Sequence, residues 1–329
     1  MSGLEVQHLS VEFRTAGGVL QAVRDISFSL KPGHTLALIG ESGSGKSVTG
    51  RAMLGILEAN AHVRDGRILY KGQDLLQLPE RALVPLRGRH IAMIFQDPLS
   101  SLDPLMRIGG QITEVMRLKL GLSPAQARQK ALQLLQEVGI PDPVQCFHQY
   151  PHQLSGGMRQ RVVIAIALAA DPQVLICDEP TTALDVTIQA QILELLDKLK
   201  RQRQLSMLMI THDFGVVAQM ADDVAVMYAG KVVEYGTVEE IFYDARHPYT
   251  QALLRATPDP VGSQRLYAIP GTMPNMLHPP QGDAFAARNR RAMAIDYARQ
   301  PPIFAVSETH WAATWLLHPD APKEETKDA

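Results

Sequence analysis

The sequence predicts an α/β fold with a central parallel sheet, and three observations indicate it. A glycine-rich stretch, 40–47, stands between the apolar run Leu36–Ile39 and a segment of helical character. Further apolar runs occur at 91–95, 174–178 and 206–210. Continuous apolar runs of this length are typical of strands buried on both faces of a sheet. Polar residues follow each run, and ligands of such sheets bind beyond the carboxyl ends of the strands. The sequence therefore predicts a ligand site at that edge.

The stretch 40–47 has the spacing of a phosphate-binding loop. Its residues are Gly40, Glu41, Ser42, Gly43, Ser44, Gly45, Lys46 and Ser47. The glycines allow left-handed backbone conformations that turn N–H groups toward phosphate oxygens. Lys46 is expected to contact the β- and γ-phosphates, and Ser47 to coordinate Mg²⁺. A chance glycine-rich turn is the alternative, but the strand–loop–helix context favours a nucleotide-phosphate site.

Composition and charge exclude several classes of protein. The chain has 329 residues, enough for a large core and one to three domains. Its 32 Lys and Arg against 34 Asp and Glu give a formal net charge of −2, which does not favour nucleic-acid binding. Cys146 and Cys177 lie far apart and indicate neither a disulfide framework nor a metal site. Without a long apolar span or a signal-peptide pattern, we expect a cytosolic protein that reaches a membrane only through a partner.

An antiparallel strand section is predicted before the loop. Alternating runs within 4–30 flank a Gly17-Gly18 turn. Phe13 lies in this section, where it would either stack on a nucleotide base or pack within the sheet, and the motif alone favours neither. A short strand is predicted at Arg67–Tyr70, after the helix that follows the loop.

Residues 104–150 predict a helical insertion between two strands of the sheet. Ile108–Leu120 and Ala125–Val138 carry apolar residues at three- and four-residue spacing, and Ser123-Pro124 is the predicted start of the second helix. A further helical run opens at Leu154-Ser155-Gly156-Gly157-Met158 and continues to Ala170. Ser155 and the two glycines are typical of a helix N-terminus, which can bind an anion. From this pentapeptide alone, plain helix capping is the favoured interpretation.

Two of the buried strands end in chemically active side chains. Val174–Asp178 delivers Asp178 and Glu179, and the run 206–210 is followed by His212. An Asp in this position holds Mg²⁺ in phosphate-loop ATPases, and the adjacent Glu can accept a proton from an attacking water. His212 would bond a terminal phosphate, although a lone His after a strand is usually structural. Beyond a closing hairpin at 224–234, the chain is predicted to be an appended tail outside the sheet.

Taken in order, these motifs resemble those of the ATP-binding subunits of ABC transporters over essentially the whole chain. Gly40–Ser47 matches the Walker A loop, with Val48 next to it, and Gln96 matches the Q-loop glutamine. The other matches are the signature motif Leu154–Met158, Walker B at Val174–Asp178, the catalytic glutamate Glu179, the D-loop Thr182–Asp185 and the switch histidine His212. Most family members carry glutamine in place of Met158, whereas peptide importers often carry methionine there.

The resemblance implies a P-loop (RecA-like) ABC ATPase core with an antiparallel β subdomain, a helical subdomain and a C-terminal tail of the peptide-importer type. The expected bounds are 1–240 for the nucleotide-binding domain, with the helical subdomain at about 97–170, and 241–329 for the tail. These boundaries come from the resemblance and from the change in composition after the hairpin.

The resemblance also implies how ATP is bound and hydrolysed. The base would lie on Phe13 and the phosphates on 40–48, with Mg²⁺ held by Ser47, Gln96 and, through water, Asp178. Glu179, Gln96 and His212 would be catalytic. The signature motif would act on the nucleotide of a facing subunit, next to the D-loop residue Asp185.

The branch of the family is indicated by the segments 95–104, 181–191 and His247–Leu254, which are similar to those of dipeptide, oligopeptide and nickel importers. Such systems imply a second, homologous ATPase subunit, two transmembrane permease subunits and an external substrate-binding protein, with no nucleic acid. The chain would lie peripherally on the cytoplasmic face of the bacterial inner membrane. Peptides are the favoured cargo, while nickel and glutathione remain open. A soluble non-transport ABC ATPase is disfavoured because the chain shows no second cassette, coiled coil or zinc spacing.

The tail departs from this branch in one respect. Many relatives carry four cysteines there that hold an iron–sulfur cluster. The corresponding positions in this chain are Asp283, Asn289, Asp296 and Thr314. Because thiolates hold such clusters, we predict no iron–sulfur cluster in this protein.

Overall fold

The computed structural model describes residues 3–182, 184–257 and 267–322. Its strands, in chain order, are β1 (Leu4–Thr15), β2 (Gly18–Leu30), β3 (Thr35–Ile39), β4 (Ala61–Tyr70), β5 (Gln73–Asp74), β6 (Ile91–Ile94), β7 (Val174–Asp178), β8 (Ser206–Thr211), β9 (Asp223–Tyr228), β10 (Lys231–Thr237), β11 (Phe304–Ala305) and β12 (Trp311–Ala312). Its α-helices are α1 (Lys46–Leu54), α2 (Glu80–Leu86), α3 (Pro98–Ser101), α4 (Ile108–Leu120), α5 (Pro124–Glu137), α6 (Pro143–His148), α7 (Gly156–Leu168), α8 (Val186–Arg203), α9 (Phe214–Met220), α10 (Val238–Tyr243), α11 (Pro248–Ala256) and α12 (Ala294–Ala298). Short 3₁₀ helices lie at Leu75–Gln77, Pro151–Gln153, Ala286–Arg288 and Trp315–Leu317.

The smaller sheet is antiparallel and has the strand order β2-β1-β4-β5. The antiparallel section predicted before the loop is therefore confirmed. The strand predicted at Arg67–Tyr70 is longer than expected, because its first residues pair with the second half of β1, down to Ala61 against Phe13. His8 and Asp25 have positive φ and lie at irregularities of the β1–β2 pairing, which interrupt the alternation of apolar and polar residues.

The larger sheet has the order β11-β12-β10-β9-β3-β8-β7-β6, and β9, β3, β8, β7 and β6 run parallel. All residues of these parallel strands are buried, which explains their continuous apolar sequences. Ile39 is paired with Thr211, and Asp178 with Ile210. The register therefore brings the loop after β3, the acidic pair after β7 and His212 after β8 to one edge of the sheet.

The predicted helical insertion lies between β6 and β7. Helix α4 has the predicted bounds. The helix start predicted at Ser123-Pro124 is confirmed, since Ser123 caps α5 through a capping box with Gln126. Ile112 of α4, Leu135 of α5 and Ile164 of α7 are buried in one apolar cluster. Among the described helices, none is long and apolar enough to cross a bilayer.

The C-terminal tail takes part in the larger sheet, so the prediction that it lies outside the sheet is wrong. Trp311 and Ala312 of β12 pair antiparallel with Tyr235 and Glu234 of β10. Glu234 is fully buried, and His310 Nε2 lies 2.8 Å from its carboxylate. A strand of two residues shows no periodic pattern, and its pairing depends on contacts between residues far apart in the chain.

Candidate nucleotide-binding site

The stretch 40–47 leads from β3 into α1, and its three glycines, Gly40, Gly43 and Gly45, all have positive φ. Gly45 caps α1 with φ of +103°, and a Cβ there would stand 2.5 Å from the Ala22 carbonyl oxygen. A Cβ on Gly40 would stand 2.1 Å from the Met227 carbonyl oxygen. Both glycines are therefore required by close backbone packing as well as by the loop's conformation.

Lys46 is buried at the base of this loop. Its Nζ donates to the carbonyl oxygens of Gly40 at 2.7 Å and Glu41 at 2.9 Å. Burial lowers the pKa of Lys46, although the nearby carboxylates of Glu179 and Asp178 oppose that shift. These charge-assisted hydrogen bonds hold the ammonium group of Lys46 against the loop.

Ser47 and Asp178 place a hydroxyl and a carboxylate side by side. The Ser47 hydroxyl donates to Asp178 Oδ1 at 2.7 Å, and Asp178 is 1% exposed. Burial raises the pKa of Asp178, although the Ser47 hydrogen bond and the charge on Arg51 oppose it. A hydroxyl and a carboxylate are hard oxygen donors that fit Mg²⁺, which is usually completed by substrate phosphates and water.

Glu179 is the centre of a hydrogen-bond network. It has φ of +47°, and its N–H donates to the Ile210 carbonyl oxygen at 2.9 Å, which fixes the carboxylate at the end of β7. The carboxylate accepts from Thr182 Oγ1 at 2.8 Å and Gln96 Nε2 at 2.9 Å, and His212 Nδ1 lies 3.1 Å away. Burial alone would raise the pKa of Glu179, but the hydrogen bonds from Thr182 and His212 outweigh it and lower the pKa. Glu179 is therefore ionised at neutral pH.

A cavity of about 580 Å³ opens above the loop. It is lined by Phe13, Thr15, Leu20, Ala22, Ser42, Gly43, Gly45, Lys46, Ser47, Val48, Gln96, Glu179, Pro274, Asn275 and Met276. The structure thus brings together Phe13, the loop, Gln96 and Glu179, as the motifs predict. Asp178 and His212 join this group through their hydrogen bonds to Ser47 and Glu179.

The signature residues Leu154–Met158 and the D-loop residue Asp185 do not line this cavity. Ser155 caps α7 by accepting from the Met158 N–H, and Asp185 caps α8 by accepting from the Ile188 N–H. Ser155 and Gly156 are exposed, so capping leaves them open to contact from another molecule. Ala183 of the D-loop lies outside the described residues.

The sequence did not predict the link between the tail and the loop. Arg288 makes a two-pronged ion pair with Glu41, with distances of 2.7 and 2.9 Å, and its side chain is 5% exposed. The Glu41 N–H also donates to the Tyr249 hydroxyl at 2.8 Å. Arg288 stands 247 residues after Glu41, and no local pattern marks such a pair.

The four tail positions at which the resemblance led us to look for cysteine are buried. Asp283, Asn289, Asp296 and Thr314 are at most 9% exposed, and they offer carboxylate, amide and hydroxyl groups. Cys146 and Cys177 lie elsewhere, in α6 and β7, and both are buried.

The parallel sheet, the loop at its edge and the acidic pair after β7 define an ATPase cassette of the phosphate-loop class. Residues 23–182 match the family model described as "ABC transporter", and residues 233–295 match "Oligopeptide/dipeptide transporter, C-terminal region". The chain belongs to the family of ABC transporter ATP-binding subunits.

Relatives cover nearly the whole chain. The chain is 57% identical over 327 residues to a dipeptide transport ATP-binding protein, DppD, of Lactococcus lactis subsp. cremoris, which covers 99% of this chain and 94% of the relative. It is 54% identical to an oligopeptide transport ATP-binding protein, OppD, of Bacillus subtilis, over 99% of this chain and 92% of the relative.

Solved structures share the fold. A dimeric bacterial ABC transporter cassette superposes with a TM-score of 0.65 at 24% identity, covering 71% of this chain and 98% of the cassette. The cbiO1 protein of Clostridium perfringens, part of an ABC transporter complex, superposes with a TM-score of 0.63 at 28% identity, covering 74% of this chain and 91% of its own.

Proposed function

We propose that this chain hydrolyses ATP to power peptide import, as one ATPase subunit of an ABC transporter at the bacterial inner membrane. The assignment of peptide as the cargo is supported by the similarity to dipeptide and oligopeptide transport subunits. This similarity covers nearly the whole chain and extends through the C-terminal region. The chain would lie peripherally on the cytoplasmic face. Nickel and glutathione are the alternative cargoes, and we propose no nucleic-acid partner.

The geometry of the site supports the following roles in hydrolysis. Lys46 would hold the β- and γ-phosphates, while Ser47, Gln96 and, through water, Asp178 would hold Mg²⁺. When bound, Mg²⁺ would neutralise negative charge on the phosphates. Glu179 would polarise the attacking water, because it is ionised and fixed by three side chains. His212 would stabilise the terminal phosphate while it stays bonded to Glu179.

The domain boundaries are part of the same proposal. We assign 1–240 to the nucleotide-binding domain, with the helical subdomain at about 97–170, and 241–329 to the peptide-importer tail. The helical subdomain would receive the permease near 96–104. Exposed apolar side chains support this placement, since Leu99 is 57% and Leu105 is 86% exposed.

Reconstituted transport tests the cargo. The complex containing this chain, its partner ATPase, the permeases and the binding protein would be placed in ATP-loaded vesicles, and uptake of a dipeptide, an oligopeptide, Ni²⁺ and glutathione would be measured. We expect ATP-dependent uptake of peptide alone. Uptake of Ni²⁺ or glutathione without peptide would contradict the peptide assignment.

If the ATP site is shared between two subunits, the chain alone should hydrolyse ATP slowly. Ser155 and Gly156 are exposed, Gly157 is half-buried, and none of the three lines the chain's own cavity, so they would complete the site of a facing subunit. At fixed total protein concentration, mixing the chain with its partner ATPase should raise ATPase activity per subunit. The increase should be lost when this chain carries Ser155→Arg, with Ser123→Arg as a control at another exposed helix cap. Unchanged specific activity on mixing argues against a shared site.

The tail composition predicts protein free of an iron–sulfur cluster. Thiolates hold such clusters, and Asp283, Asn289, Asp296 and Thr314 supply none. Protein purified without oxygen should contain iron and acid-labile sulfide far below one atom per chain. Stoichiometric iron together with sulfide would overturn this prediction.

A further inference from the structure

A segment of the C-terminal tail, 273–277, passes along the cavity above the phosphate loop. Pro274, Asn275 and Met276 line the cavity together with Phe13. The segment also touches both ends of the site. Met273 Sδ stands 3.9 Å from the position of a Cβ on Gly43, and Leu277 Cδ1 stands 3.3 Å from that of a Cβ on Gly17. The segment therefore spans from the phosphate loop to the turn between β1 and β2.

Several contacts hold this segment against the cassette. The Gln21 N–H of β2 donates to the Met276 carbonyl oxygen at 3.1 Å, and Met276 is 8% exposed. Pro270 lies just before the segment, and its carbonyl oxygen accepts from Arg288 Nε at 2.8 Å. The same guanidinium forms the ion pair with Glu41. The wall formed by the tail is thus tied to β2 on one side and to the phosphate loop on the other.

Asn275 presents a hydrogen-bond donor at this wall. Its Oδ1 accepts from the Leu277 N–H at 3.0 Å, which fixes the orientation of the amide because only the oxygen can accept. Nδ2 is left as a donor, and it makes no hydrogen bond within the described residues. Asn275 is exposed and belongs to the lining of the cavity. An oriented amide beside apolar walls is typical of the polar groups that fix a ligand in a pocket.

We propose that Pro274–Met276 forms a second wall for the nucleoside half of ATP, facing the same space as Phe13, with Asn275 Nδ2 donating to an acceptor on the base or ribose. This rests on the proposed function, because the phosphates must occupy the loop around Lys46. With the phosphates there, the remainder of the cavity, lined by Phe13, Leu20 and the tail, receives the nucleoside. The tail then contributes directly to the affinity for the nucleoside.

The proposed second wall is tested by measuring how tightly the full chain binds ATP and inorganic tripolyphosphate, both with Mg²⁺. The double variant Pro274→Ala/Asn275→Ala removes ring and amide contacts. Asn275→Asp keeps the oxygen that accepts from Leu277 and removes the donor, so it covers the case in which the alanine variant disturbs the turn. His278→Ala is the matched control, since His278 is exposed in the same part of the tail and does not line this cavity.

We expect the Kd for ATP to rise about three- to tenfold in the double variant, as for the loss of an ordinary hydrogen bond and its packing. Tripolyphosphate binding should be unchanged, and the control should match the wild type with both ligands. Unchanged ATP affinity, or equal weakening of ATP and tripolyphosphate, would overturn the proposed wall and leave the phosphate site intact. Wild-type protein that binds neither ligand would overturn the proposed function itself.

Discussion

Glu179→Gln is expected to lower ATPase turnover by about 10²–10⁴-fold, the usual contribution of a positioned general base. The amide keeps the size and the acceptor oxygen of the side chain but loses the negative charge that polarises water. ATP affinity should stay near the wild-type value, because Lys46 and the loop hold the phosphates. Turnover of the complex with its partner and the Kd for ATP are the two measurements.

A matched control separates this effect from a general loss of charge. Glu194→Gln changes an exposed glutamate on α8 that does not line the cavity, and should leave turnover unchanged. If turnover falls less than tenfold in Glu179→Gln, Glu179 is not the general base. An equal loss of ATP binding would assign it to nucleotide binding instead.

Lys46→Met is expected to weaken ATP binding itself, by about 10- to 100-fold, as for the loss of a hydrogen bond to a charged group. Methionine preserves the apolar stem of a side chain that is only 4% exposed, so the fold should be retained. The charge next to Asp178 and Glu179 is lost, and the phosphates lose their cation. The measurement is the Kd for ATP and for tripolyphosphate, and both should rise.

Lys198→Met is the control, since Lys198 is exposed on α8 and away from the loop. Circular dichroism and thermal unfolding would check that both lysine variants stay folded. Wild-type affinity in Lys46→Met would exclude Lys46 as the phosphate ligand. The contrast between the two active-site variants is itself informative, because Glu179→Gln should separate binding from turnover and Lys46→Met should not.

The sequence predicted most of the elements that have strong local patterns. Helix α4 is amphipathic along its length, and β7 is a continuous apolar run that ends at a carboxylate, so both have their predicted bounds. The phosphate loop and Glu179 were also predicted from local sequence, because each follows a continuous apolar run. Parallel strands bring the ends of such runs to one edge of the sheet. For Phe13 the sequence favoured neither base stacking nor sheet packing, and the structure shows the side chain both lining the cavity and packing against the core beneath the antiparallel sheet.

Most of the contacts that the sequence did not predict involve the tail. Trp311 and Ala312 form a strand only because β10 offers them a partner, and two residues carry no alternation. Pro274, Asn275 and Met276 reach the cavity through contacts made by Gln21 and Arg288. These contacts depend on three-dimensional packing between residues far apart in the chain, for which a single sequence contains no periodic signal.

The pairing of β12 with β10 limits how the chain can be shortened. A fragment ending at residue 240 would expose the free N–H and C=O groups of β10, which invite pairing with another molecule and aggregation. It would also leave the buried carboxylate of Glu234 without His310 and the backbone donors of Arg246 and His247. The boundary that we propose at residue 240 is therefore not a place where the chain can be cut, because the tail pairs with β10 and keeps that strand from pairing with another molecule.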